Sequence, residues 1–536
     1  MYSDARQLPD GITLTGYDIC IAGAGAAGIA LATRLIGSSK KVLLISSGDS
    51  NDGGQSPAPD PTLESIYQGV LGPFMHNVDP IFLTRSRLNM YGGTTNHFWF
   101  WASPLSEADL QPRPGYRDAY WPLDLAELNR YYPDANAFGG FGPFNYQDID
   151  FWAQALYGQP FAALPDDQLQ NVIFHAQPNN NIHQFQVQFG ADLQAAENVT
   201  VLFNANVLRI KATEAKNHVT GLSCATVSQG RPDKRFRVET RDYVVALGGI
   251  ESVRLLLLSG DLADNAQGHL GRGFMLHPLI TQAAQATFPA AVPMEIQNFF
   301  RLQMVSIAAP QNVNEGHTLI TDPLYHPGQL PPDSFYLQAW GVLTPTPVAM
   351  AREQIGNFRA LLSFDPPGSQ AAGGSQAILN FNWEQARNEN SRITLDDEQL
   401  DPVFGQPVVH LDWNLMETEK RTIIKGLALC EQYLKARGAS DFKILTDLSG
   451  GPERWVFSPT NPVTNQAALQ AGDHHMGALR MSAQPEDGIV DPNLKAHQLD
   501  NLYLLSTGVW PTTGCVNPTL TLVALALRLA NHLMWK

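Results

Sequence analysis

Apolar and polar positions along this chain change period several times, and the changes mark its elements. Residues 17–22, YDICIA, form a short apolar run that reads as a buried parallel strand. Small residues over 26–36 follow with helical spacing, and a second buried strand is expected over Lys41–Ser46, as a βαβ unit requires. Residues 48–80 are rich in Gly, Pro, Asp and Ser and read as a long loop. Leu123–Tyr132 has a helical pattern inside a Pro- and aromatic-rich stretch. Asn198–Ile210 and Phe236–Leu247 read as strands bracketing a hairpin, and a helix is expected over Ile250–Ser259. Alternation at Ala377–Trp383 and Val408–Trp413 predicts an antiparallel sheet, with a strong helix over Glu417–Ala436. No internal repeat and no low-complexity tail interrupts this order.

The turn between the first strand and helix reads GAGAAG, placing Gly23, Gly25 and Gly28 in G-x-G-x-x-G spacing. In a strand–helix–strand context the first glycine allows the tight turn. The second lets a pyrophosphate approach the backbone, and the third lets helix pack on strand. The helix N-terminus adds free N–H groups and a partial positive charge. This context points to a dinucleotide. The acidic residue usual at the end of the second strand is absent: Ser46 and Ser47 stand there, with Asp49 a little beyond. Gly248 and Gly249 make a second strand–glycine–helix step.

At 536 residues the chain exceeds one ordinary core, so two domains are expected. The net charge of −16 argues against nucleic-acid and anionic-membrane roles. Four scattered cysteines, Cys20, Cys224, Cys430 and Cys515, give neither a disulfide framework nor a zinc spacing, and no metal is expected. The start, MYSDARQLPDG, lacks the regions of a signal peptide, and no apolar stretch is long enough to span a bilayer. The expected location is the cytoplasm.

Six segments, in order, resemble the glucose–methanol–choline family of flavin oxidoreductases: GAGAAG (23–28), GGTTNH (92–97), VVALGGIESVRLLLLSG (244–260), GRGFMLHP (271–278), SRITLDDEQLDPVFGQP (391–407) and the C-terminal stretch from DHHMG to NLYLLSTGVWPTTGCVNPTLT. The GGTTNH block leans toward the pyranose-oxidase and fructose-dehydrogenase side of the family. The resemblance implies an α/β fold, α+β overall: a Rossmann-like FAD-binding domain assembled from discontinuous segments, and a substrate domain with a largely antiparallel sheet. The expected boundaries are 1–105, 190–285 and 465–536 for the first, and 106–189 and 286–464 for the second. The resemblance further implies oxidation of an alcohol group of a sugar, polyol or glycoside, with O2 or another acceptor reoxidising the flavin. An FAD-containing lyase or cyclase of the same fold, without net redox turnover, is the alternative.

Such chemistry needs a base that titrates near neutral pH, which favours histidine, and a second group that holds the substrate oxygen. Family position assigns these to His474 as base and Asn517 as partner, with His475 the rival base. The cofactor set implied by resemblance adds Val207, Gly248, Pro518 and Thr519 to Gly23, Gly25, Gly28 and Ser46. Gly92 and Gly93 let backbone approach the flavin ring, and Asn96 is expected to hydrogen-bond the ring's polar edge. His97 is either joined covalently to the flavin or packed against it. His277 is expected to buttress the flavin domain, and His497 to lie in a loop. Trp99, Trp101, Trp413 and Trp510 are candidates for stacking on a sugar-like ring, against the commoner role of tryptophan in cores.

Overall fold

The computed structural model describes residues 1–49, 60–96, 101–113, 116, 120–157, 167–176, 184–264, 267–300, 303–308, 319–320, 334–364, 374–455 and 468–536. An eight-stranded sheet forms one half. Its parallel part runs in the order Tyr2–Asp4, Val199–Phe203, Val42–Ile45, Thr13–Ala22 and Arg231–Val245, with Leu502–Leu504 also parallel to Arg231–Val245. Ile19 to Ala22 and Val42 to Ile45 are buried on both faces, which explains their unbroken apolar runs. Arg231–Val245 is long enough to serve two neighbours. Its last residues join the parallel part, while its start pairs antiparallel with Val219–Ser228, which in turn pairs with Asn206–Ala212.

The expected strand Asn198–Ile210 is in fact two. Asn204 takes φ +57, a left-handed conformation that asparagine tolerates better than most residues, and the chain leaves the parallel sheet there to enter the antiparallel meander. Leu123–Tyr132 is likewise broken, into helices Leu125–Asn129 and Tyr132–Phe138. Pro133, in the first turn of the second, cannot continue a preceding helix. The helix expected at Ile250–Ser259 spans Gly248–Leu258.

Ala26–Arg34 packs against the C-terminal helix Thr519–Trp535, which brings the two ends of the chain together. Ala27, Gly28, Ala30 and Ala32 on one helix and Ala524, Ala526 and Ala530 on the other are buried and small, so the axes can approach closely.

The second half is a ten-stranded sheet whose pairings are all antiparallel. Leu169–Ala176, Ser334–Pro345, Phe358–Phe364, Ser375–Trp383, Leu279–Phe288 and Ala468–Gln470 lie side by side in it. The helix Glu417–Lys435 covers part of it, burying Ile423, Leu427, Cys430, Tyr433 and Leu434. The expected strand at Val408–Trp413 is present as Pro407–Asp412. It belongs to a separate three-stranded sheet with Arg392–Leu400 and Gly69–Leu71. All four cysteines are buried. No helix among the described residues is long and apolar enough to cross a membrane.

Candidate active site

One cavity of about 1230 Å³ runs from the glycine-rich turn to the antiparallel sheet. At its near end the three glycines of GAGAAG do different work. Gly23 has φ +111, and a Cβ there would lie 2.4 Å from the carbonyl oxygen of Ala246. A Cβ on Gly28 would lie 1.9 Å from the carbonyl oxygen of Gly23, so only glycine lets the helix sit this close to its own turn. A Cβ on Gly25 would meet nothing within 4 Å, because Gly25 faces the cavity at the N-terminus of Ala26–Arg34. Backbone N–H groups and open space therefore meet where a pyrophosphate would lie.

Gly93, at φ +55, also lines the cavity, and the N–H of Gly92 donates to the carbonyl of Ala24 at 2.9 Å. The 92–93 loop is thereby seated on the phosphate turn. Ser46 lines the same end, with its Oγ buried and without a hydrogen-bond partner among the described residues. Val207, Gly248, Pro518 and Thr519 also reach the cavity. Ser47 bonds to Asn89, and Asp49 is paired with Arg6 at 3.2 Å. Asn96 does not reach the cavity wall. Its amide donates to the carbonyls of Tyr91 (3.0 Å) and Gly93 (2.8 Å) and its Oδ1 accepts from Gln186, so the side chain holds its own loop. His97 and Trp99 lie outside the described residues. The cradle, the buried Ser46 hydroxyl and the cavity volume together fit an adenine dinucleotide.

At the far end the cavity reaches His474, His475 and Asn517. Their placement follows from local pairing. Met275 and Met476 form an antiparallel bridge, each N–H donating to the other's carbonyl at 2.9 Å. Two residues outward, that register sets His277 opposite His474 on one face. The approach needs glycine, since a Cβ on Gly472 would lie 2.3 Å from the carbonyl oxygen of His277. Asn517 stands just before the helix Thr519–Trp535, whose N-terminal end opens into the cavity.

The resulting hydrogen bonds form a directed chain. A guanidinium can only donate, so the 2.6 Å contact from Arg359 Nη1 fixes Asn517 Oδ1 as acceptor. The Asn517 amide then donates to His474 Nε2 at 3.2 Å. His474 Nδ1 therefore carries the ring hydrogen and donates to His277 Nδ1 at 2.8 Å. His277 Nε2 in turn donates to the carbonyls of Gly514 (2.9 Å) and Thr513 (3.3 Å). His474 Nε2 therefore carries no hydrogen, and its lone pair accepts from Asn517 where both residues line the cavity. Burial, with a smaller effect from the positive charge of Arg359, pushes the His474 pKa down to about 4, so the ring is neutral at pH 7. Burial lowers His475 to about 3. The His475 ring packs edge-on to Phe82 and against Phe274, its Nε2 has no partner, and its carbonyl accepts from Thr507.

His277, expected from sequence to buttress the flavin domain, is thus in direct contact with His474. The missed signal lay in the paired spacing about Met275 and Met476, invisible without the strand register. Arg359 was missed too, because nothing near it in sequence resembles a motif. Trp101 lines the cavity, whereas Trp413 and Trp510 are buried in the core away from it. His497 bonds to Ser482 at 3.0 Å, remote from the cavity.

Two GMC oxidoreductase family models match the chain, one over residues 177–279 and one over residues 387–526. The chain is 24% identical to the fructose dehydrogenase large subunit of Gluconobacter japonicus, over 60% of this chain and 52% of that protein. It is 23% identical to paromamine 6'-oxidase of Streptomyces fradiae, over 96% and 91%. The chain spans about half the length of the fructose dehydrogenase subunit, and 55% of the 2-methyl-1,2-propanediol dehydrogenase of Mycolicibacterium austroafricanum. Among solved structures, the formate oxidase of Aspergillus oryzae, a protein studied for modification of its FAD, superposes with a TM-score of 0.53 at 16% identity, covering 98% of this chain and 99% of that one. The segments matched by the models contain Val207, Gly248 and His277 in one case and His474, His475 and Asn517 in the other, so the sequence similarity meets in the cavity just described. The chain belongs to the GMC oxidoreductase family, whose members bind FAD.

Proposed function

We propose that this protein oxidises an alcohol group of a sugar, polyol or glycoside, with FAD held along the cavity. Gly25 would hold the pyrophosphate, on the turn that Gly23 and Gly28 allow to pack closely, and Ser46 would hold the ribose. Gly93, Pro518 and Thr519 would lie against the ring, with Val207 and Gly248 along its length. When bound, FAD supplies the hydride acceptor. His474 Nε2 takes the hydroxyl proton, and the Asn517 amide holds the substrate oxygen as negative charge grows on it. His277 holds the His474 ring in the tautomer that leaves Nε2 without a hydrogen, and a bound hydroxyl takes the place of the Asn517 amide on that nitrogen. His475 shapes the wall and does not serve as the base. O2 or another acceptor completes turnover. Residues 1–105, 190–285 and 465–536 form the FAD-binding domain in this reading, and 106–189 and 286–464 the substrate domain.

The observation that carries the proposal is the directed chain Arg359–Asn517–His474–His277 at the end of a cavity that starts at a dinucleotide cradle. The test is an anaerobic screen of alcohols against the yellow protein, following flavin absorbance. Bleaching by an alcohol supports oxidation. Turnover of a substrate without bleaching indicates the lyase or cyclase chemistry instead. His474→Ala should slow bleaching by roughly 10²–10⁴-fold, the usual worth of a positioned base. Proposed covalent attachment through His97 is read by acid precipitation: flavin stays in the pellet if the bond is present, and leaves it in His97→Ala.

A further inference from the structure

Arg359 is 6% exposed, yet no carboxylate among the described residues pairs with it. Its Nη1 is engaged by a neutral amide oxygen, its Nε has no partner among the described residues, and its guanidinium lies 5.3 Å over the Trp101 ring and 5.2 Å over Phe174. A buried guanidinium without a counter-ion is costly, and aromatic faces offset only part of that cost. The two carboxylates that line the same cavity are committed elsewhere. Glu251 pairs with Arg87 at 2.6 Å, and Asp473 pairs with Arg85 at 2.8 Å.

The sheet register shows what surrounds this charge. Arg359 is opposite Asn382, Asn382 opposite Leu279, and Leu279 opposite Gln470, so the four stand in one row on the cavity face. Gln470 Nε2 is buried without a partner among the described residues. So is the indole N–H of Trp340, whose ring centroid is 4.2 Å from that of Trp101. The unsatisfied atoms on this wall, Arg359 Nε, Gln470 Nε2 and Trp340 Nε1, are all donors. A wall of unused donors around an uncompensated cation is complementary to an acceptor-rich anion.

We infer that Arg359 forms an anion subsite, and that the substrate is an alcohol bearing a carboxylate close to the reacting hydroxyl, a hydroxy acid or sugar acid. The closeness follows from geometry: Arg359 touches Asn517, which touches His474, so a carboxylate on Arg359 lies within a few bonds of an oxygen held by that pair. This rests on the proposed alcohol oxidation and narrows its substrate class.

The experiment titrates the flavin-loaded protein with acetate and glycolate, and separately with acetamide and glycolamide, following tryptophan fluorescence and flavin absorbance. The expected result is carboxylate binding at least tenfold tighter than amide binding. Arg359→Met should lose at least tenfold of the carboxylate affinity and little of the amide affinity, and Arg359→Lys should recover part of the loss. Equal affinity of the two series in the unaltered protein overturns the inference, and that comparison needs no variant to fold. A parallel loss of both series in Arg359→Met also overturns it, since Arg359 would then act only by positioning Asn517. Flavin content and bleaching by neutral alcohols are read on the same samples. A protein that binds flavin and oxidises neutral alcohols without favouring carboxylates refutes the subsite and leaves the proposed oxidation standing.

Discussion

His277 Nδ1 lies 2.8 Å from His474 Nδ1, and since one of two facing ring nitrogens must donate, the pair shares a single hydrogen. Arg359 decides which ring holds it. It fixes Asn517 Oδ1 as acceptor, so the amide donates to His474 Nε2 and the hydrogen of that ring must sit on Nδ1. His277 then ends the chain on the carbonyls of Gly514 and Thr513.

Replacing His277 tests this reading. His277→Leu removes the acceptor while keeping bulk, and His277→Asn can place an oxygen near the former Nδ1. A neutral hydrogen bond is worth about 1 kcal/mol, so His277→Leu should slow flavin reduction by up to about tenfold. His277→Asn should recover much of that rate, with KM nearly unchanged in both. Rapid-mixing measurements of flavin reduction decide it. Unchanged rates in both variants would show that the second histidine does not set the tautomer.

The pH dependence has a definite sign. Burial, then the charge of Arg359, depresses His474 to about 4, so it stays neutral across the neutral range. Flavin reduction should be level above pH 6 and fall only as pH drops toward 4, when the base is protonated. Arg359→Met removes a neighbouring cation and should move that fall to higher pH. Stability follows the same direction. An unfolded histidine takes its proton near pH 6.5, whereas His474 and His475 resist it down to about 4 and about 3. Their contribution is present above pH 6.5 and is lost as pH falls through that window, by about 1.4 kcal/mol per pH unit for each group. Thermal unfolding from pH 7 to pH 4 should show the decline. A melting temperature flat over that range would contradict the burial of these rings.

Much of this site was legible in sequence because it sits in local patterns. Gly23, Gly25 and Gly28 announce a tight turn by spacing alone, and the apolar runs on either side need no tertiary knowledge. His474 and Asn517 came from a resemblance carried by residues within a few positions of each. What stayed hidden depends on register between distant strands. His277 meets His474 only because Met275 pairs with Met476, and Arg359 meets Asn517 only because the antiparallel sheet turns one face to the C-terminal helix. Asn96 is a contrasting case: its motif suggests a ligand contact, and its amide donates within its own loop, to Tyr91 and Gly93.

A buried ion pair supports the irregular segment that leads to Asn517. Arg113 donates to both oxygens of Glu384, at 2.8 and 2.6 Å, and the N–H of Gly514 reaches the same carboxylate at 3.3 Å. Glu384 is fully buried and Arg113 nearly so. Removing one partner strands the other charge, which typically costs about 3–5 kcal/mol. Arg113→Met should therefore destabilise the fold strongly. Arg113→Met combined with Glu384→Gln should be less damaging than the single change, because no charge is left alone. Chemical denaturation of the three proteins checks the order, and equal stability of single and double variants would count against a coupled pair.

The glycines of the turn separate folding from cofactor binding. A Cβ at Gly28 would be driven to 1.9 Å from the carbonyl of Gly23, so Gly28→Val must push the helix Ala26–Arg34 off its strand and, with it, off the C-terminal helix. Forced overpacking of this kind costs about 1–3 kcal/mol or more, and it is felt whether or not flavin is present. Gly25 is the opposite case. Its φ of −86 suits any residue, and a Cβ there meets no protein atom within 4 Å. Gly25→Val should leave the flavin-free protein about as stable as the parent, while its branched side chain occupies the space at the helix N-terminus where the pyrophosphate would lie. The expected outcome is a folded, colourless protein for Gly25→Val and an unstable one for Gly28→Val. The melting temperature of flavin-free samples, alongside flavin content after purification, reads both. A yellow Gly25→Val protein with parental affinity for FAD would mean that the cofactor does not approach the backbone at this turn, and the cradle would have to be sought elsewhere in the cavity.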